Sequence, residues 1–207
     1  MPTPSTTQTD IVNAALAELG SRDFVTSIDS DRPVAMRAKR LWSIVLNDLL
    51  SQHPWNFALR RAALNADGVN PPYGYARQFR LPSDCLRWLV PVEGRPGFYR
   101  GEREGDVILT DAAAPLPVRY IALVDDVTKW PAAFVKAMTL ALAEALAEGI
   151  TQSETIKRDL GNKAEYALRK AKRIDGLETG ANQRGSVVAK SDWLAARNRG
   201  SGYLRGR

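Results

Sequence analysis

Apolar residues recur at three- and four-residue steps near both ends of the chain, and short alternating runs replace them between. Ile11, Val12, Ala15, Leu16 and Leu19 form the first stripe. Thr7 stands three residues before Asp10, as a capping box requires, and Gly20 is placed to take the left-handed C-terminal position. A helix from about Thr9 to Leu19 is predicted. Beyond SIDSDRP, Val34, Ala38, Leu41, Trp42, Val45 and Leu49 mark the face of a longer helix. Ser30 or Asp31 is its expected N-cap, and Pro33 suits a first turn. It must stop before Pro54, whose ring disfavours helical backbone at His53.

From about residue 71 to 124 the pattern becomes β-like. ARQFRLP alternates, and CLRWLVPV, GFYR, DVILT and VRYIALV are short β-branched or aromatic runs separated by Gly and Pro. Strands this close together pair antiparallel, since a parallel crossover needs a dozen or more residues. YRGEREGDVIL is the clearest hairpin.

Helix returns at residue 128, with Thr128 as expected cap, Pro131 in the first turn, and Phe134, Met138, Ala141, Leu142, Ala145 and Leu146 as its buried stripe. Thr151 and Glu154 have capping-box spacing and open a last helix, which carries Ile156, Leu160, Ala164, Ala167, Leu168 and Ala171 on one side and ends near Gly176. The GIT link makes these two an antiparallel hairpin. The fold class is therefore α+β. A discontinuous helical bundle (1–70 and 125–175) carries an inserted antiparallel β subdomain (71–124), followed by an extended basic C-terminal arm (176–207).

Charge sharpens the picture of that arm. The chain of 207 residues has a net charge of +6, yet residues 1–175 hold 23 basic and 21 acidic side chains, and residues 176–207 hold six and two. The last 32 residues also contain six glycines and little periodicity, too little apolar surface to offset about 1–2 kcal/mol of backbone entropy per residue. An acidic or nucleic-acid partner, or simple solubilisation, would each account for the charge. Trp193 and Leu194 stand among Arg197, Arg199, Tyr203 and Arg205, residue types that dominate interface hot spots. Burying Trp193 and Leu194 contributes on the order of 4–6 kcal/mol. The open alternatives are stacking on nucleic-acid bases and packing of Trp193 back on its own domain.

No run approaches the ~18 apolar residues of a membrane span, and the N-terminal MPTPSTTQTD lacks the basic and apolar regions of a secretory signal. Cys85 is the single cysteine, which excludes an internal disulfide or a multi-cysteine zinc site and fits a reducing cytoplasm. It reads as a small buried hydrophobe. The acidic residues form no spaced ligand set, so neither a metal nor a cofactor is expected. His53, the one histidine, lies in HPWNFALRR. A general base needs a nucleophile or an orienting carboxylate, and no motif points to either. His53 reads as a corner residue, with Trp55 and Phe57 pinning the turn to the core.

Several stretches, in order along the chain, resemble the head-to-tail adaptors of short-tailed bacteriophages, the tail tubular protein A family. They are NAALAELG (13–20), Ile28 to Ala35, HPWNFALRRAAL (53–64), LPSDCLR (81–87), VRYIALVDDVTKWPAAF (118–134), LALAEALA (140–147) and SDWLAAR (191–197). HPWNFA together with LPSDCL is the most specific pair. The resemblance implies a non-enzymatic virion protein, made in the bacterial host cytoplasm and seated at the head–tail junction. It implies a homo-oligomeric ring, commonly of twelve, between the portal protein and the tail nozzle protein. Genomic DNA would pass through the lumen without sequence-specific contacts, and the arm would reach the portal. Under this reading Trp193, Leu194, Arg197, Arg199, Tyr203 and Arg205 are the portal-binding residues. The alternative is a nucleic-acid-binding module using the basic last helix and tail.

Overall fold

The computed structural model describes residues 6–151 and 153–179. The first helix, α1 (Gln8–Glu18), begins with the expected capping box: Thr7 Oγ1 accepts from the Asp10 N–H, and the Asp10 carboxylate accepts from the Thr7 N–H. Gly20 closes it at φ +71°. In α2 (Pro33–Ser51) proline opens the first turn as predicted, but neither Ser30 nor Asp31 caps it. The N-cap is Arg32, without a side-chain bond, and Ser30 Oγ is buried with no hydrogen-bond partner. The buried face of α2 is Ala35, Ala38, Trp42, Leu46, Leu49 and Leu50, with the predicted Val34, Leu41 and Val45 at its half-buried margin.

Among the described residues six strands follow, β1 (Leu59–Leu64), β2 (Arg77–Arg80), β3 (Cys85–Leu89), β4 (Gly101–Glu104), β5 (Val107–Thr110) and β6 (Leu116–Ala122). All pairings are antiparallel and make two three-stranded sheets, ordered β1-β6-β3 and β2-β5-β4. Two expectations need correction. The β region begins at Leu59, inside the segment assigned to the helical bundle (1–70) rather than at about residue 71. LRRAAL has no strand propensity of its own; pairing along the whole of β6 makes it a strand. GFYR is not a strand, and its neighbour GERE is, because GERE closes the hairpin on β5 around Gly105 and Asp106. Gly105 sits at φ +58°, where a two-residue hairpin loop favours glycine.

A short 3-10 turn (Val127–Lys129), capped by Asp126, leads into α3 (Ala132–Ile150), whose N-cap is Pro131 without a side-chain bond, not Thr128. This helix is buried on most sides because α1, α2 and α4 (Glu154–Glu178) all pack on it. Its run of alanines and leucines is thus a central-helix composition, although Ala145, predicted buried, is exposed. The N-cap of α4 is Ser153, not Thr151; Ser153 Oγ accepts from the Ile156 N–H. One hydrophobic core runs through the bundle and into the sheets, joining Leu16, Trp42, Trp55 and Phe134 to Phe79, Ile108 and Ile121. Trp42 and Trp130 stack within it at 5.8 Å, and Trp42 Nε1 donates to Asp125 (3.0 Å).

Candidate functional site

Pro54 ends α2, and the HPWN turn that follows folds back against the far end of the chain. Trp55 is 1% exposed, donates its Nε1–H to the Leu49 carbonyl (2.8 Å) and meets Phe134 edge-on at 5.0 Å. Phe57 also lies edge-on to Phe134. The two rings pin the turn to the core as predicted, with α3 as the surface they grip.

The polar members of the turn reach α4. His53 Nε2 lies 3.0 Å from Asp175 Oδ2. The Asn56 backbone N–H donates to Asp175 Oδ1 (2.9 Å), and Asn56 Nδ2 donates to the Asp175 carbonyl (2.7 Å) and to Thr179 Oγ1 (3.2 Å). Asp175 is 5% exposed, a buried carboxylate whose two oxygens are both used. With Nε2–H as the donor, the Asp175 carboxyl accepts one bond on each oxygen. The helix therefore runs to Glu178, past the expected end at Gly176. The HPWN corner is a clamp on the last turn of α4, from which the C-terminal segment departs.

His53 thus has the orienting carboxylate that sequence inspection did not find. Among the described residues, no hydroxyl or thiol hydrogen-bonds to its imidazole. The imidazole lies edge-on to Trp55 at 4.8 Å, so the histidine–carboxylate pair joins the HPWN turn to the last turn of α4. The one sequence signal for Asp175 is its spacing. It continues the stripe Leu160, Ala164, Ala167, Ala171 by one more step of four, an acid in an apolar row. Cys85 is half-buried against the core, and burial is the largest influence pushing its thiol pKa up, opposite to what a reactive thiol requires.

The exposed side of α4 is a second candidate surface. Lys163, Tyr166, Lys170 and Arg173 recur at three- and four-residue steps and are all exposed. The arm residues Trp193, Leu194, Arg197, Arg199, Tyr203 and Arg205, and with them residues 180–207, lie outside the described residues. Among the described residues, no group of three or more His, Cys, Asp or Glu side chains is placed to hold a metal ion, and no helix is long and apolar enough to cross a membrane. The chain matches no protein-family model and no curated protein.

Proposed function

We propose that this chain is a head-to-tail adaptor of a short-tailed phage, a structural protein that assembles as a ring between portal and tail nozzle and lets genomic DNA through its lumen. One observation carries the reading furthest. The HPWN turn, within the most specific resemblance motif, holds the helix end that leads into the basic aromatic arm. A fixed root gives the arm a defined starting direction, which lowers the entropy lost when its tip docks on the portal. Ring neighbours raise the effective concentration of each arm, so modest affinity per arm suffices. On this reading Trp193, Leu194 and Tyr203 are the apolar anchors, and Arg197, Arg199 and Arg205 pair with portal carboxylates.

Truncation after Thr179 preserves the clamp and removes the arm. The shortened protein should fold normally and no longer co-sediment with portal. Unchanged portal binding would end the role assigned to the arm.

The exposed basic face of α4, with Tyr166 among its lysines and arginines, favours a second reading as a nucleic-acid-binding module. That reading requires the isolated protein to bind DNA tightly, with affinity falling steeply as salt rises. Weak, salt-insensitive binding would remove it.

A further inference from the structure

Where β1 pairs with β6, Arg61 stands directly opposite Arg119, and Leu89 of β3 flanks Arg119 on its other side. Cross-strand partners share a face of the sheet, so the two guanidinium groups project side by side. Like charges placed directly opposite destabilise a strand pair. Arg119 is half-buried, and its Nε is fully buried with no hydrogen-bond partner among the described residues. Both side chains, together with Arg95, line a cleft of about 270 Å³. Among the described residues no Asp or Glu lines it, and apart from Gly97 its remaining walls are aliphatic or proline, chiefly Val90, Val92 and Pro117. Val90 and Val92 are 67% and 58% exposed. Burial, and after it the charges of Arg61 and Arg95, hold the Arg119 guanidinium below the usual arginine pKa range.

An arrangement that breaks the sheet's local charge rule by setting Arg61 against Arg119 at the mouth of one cleft fits a ligand that supplies counter-charge. We infer that this cleft binds a carboxylate carried on an aliphatic stem, as presented by an Asp or Glu between aliphatic residues in an extended segment of a protein partner. The arginine forks match a carboxylate with paired N–H bonds. The valine and proline walls match the aliphatic flanks and would lose their exposure to water on binding. A nucleic-acid strand is disfavoured, because no aromatic side chain lines the cleft for a base to stack on. The inference does not depend on the adaptor role.

The test uses the full-length ¹⁵N-labelled protein and the peptide acetyl-Val-Glu-Val-amide, following arginine Nε–Hε signals by NMR. A saturable shift of the Arg119 signal is expected, with a dissociation constant of about 1 mM for so small a ligand. The matching peptide with Gln in place of Glu should bind at least about tenfold more weakly, and Arg119→Gln should weaken the Glu peptide by a similar factor. Arg61→Gln, at an exposed edge-strand position, should keep its melting temperature or raise it while weakening the peptide several-fold. If Arg119→Gln fails to fold, Arg61→Gln decides the matter, and unchanged affinity there overturns the inference. It is also overturned by the absence of a saturable shift up to about 10 mM, by equal binding of the Gln peptide, or by tighter binding of inorganic phosphate or a short single-stranded oligonucleotide.

Discussion

Replacing Asp175 by alanine isolates the clamp between the HPWN corner and α4. Two donors lose their acceptor, the Asn56 backbone N–H at 2.9 Å and the His53 Nε2–H at 3.0 Å. The Asn56 N–H is part-buried, and leaving it unsatisfied costs about 1–2 kcal/mol. The His53 side chain is 22% exposed, so water takes over part of its bond and the loss there is about 1 kcal/mol or less. The Asn56 side-chain bond to the Asp175 carbonyl survives, since that acceptor is backbone. Alanine's better helix propensity returns about 0.5 kcal/mol. The net destabilisation is about 0.5–2.5 kcal/mol, a fall in melting temperature of about 1–10 °C for a chain of this size. Asp175→Asn keeps an oxygen for the Asn56 N–H and should lose less than about 1 kcal/mol. Urea titration should show a lower midpoint at unchanged slope, and exchange of the Asn56 amide hydrogen should accelerate. A change under about 0.5 kcal/mol for Asp175→Ala, within the range of neutral surface substitutions, or equal losses for the Ala and Asn variants, would refute the clamp.

Trp55→Ala should cost about 3–5 kcal/mol in urea unfolding, because the buried indole fills the space between Leu49 and Phe134; a loss near zero would mean the ring is not a core anchor. Glu18 bonds Lys136 across α1 and α3 (2.6 Å), and this hydrogen bond is the largest influence lowering its pKa below the usual value near 4.5. A depressed carboxylate pKa stabilises fully above the unfolded value and loses that stabilisation as pH falls through the folded one. Stability should therefore decline below about pH 4.5, and more shallowly in Glu18→Gln; identical pH profiles of the urea midpoint would contradict the linkage. Gly105→Ala should destabilise the β4–β5 hairpin by about 1 kcal/mol through its positive φ alone, since open space surrounds the position. A circular-dichroism melt that matches wild type would show that the hairpin turn is not held in that conformation.

The most useful sequence signals were those whose partners lie within a turn or two. The Thr7–Asp10 box, Gly20 at the end of α1, Pro33 and Pro54 at the two ends of α2, and the Gly105 turn all appear where they were expected. Caps were harder to read. Ser30, Asp31, Thr128 and Thr151 are all good cap residues, but a position one to three residues away took the role in each case. Cap geometry depends on where the chain enters the helix, and neighbouring polar residues are interchangeable on pattern alone. The candidate site was half legible. HPWN was recognisable as a corner, whereas its partner Asp175 is 122 residues from His53 along the chain.

The sequence by itself determined the α+β class, the helices with most of their buried faces (Ala145 and Ile156 are exposed, and α3 starts four residues later than expected), and the β4–β5 hairpin. Each follows from local periodicity and backbone restriction, which act between neighbours. Only the tertiary structure decided that LRRAAL is a strand, that Arg61 faces Arg119 and that Asp175 locks the HPWN corner to the last turn of α4. Those outcomes depend on pairing partners distant in sequence. A residue such as Ala62 or Arg119 has no intrinsic preference strong enough to choose between helix and strand until a neighbouring strand supplies the hydrogen bonds.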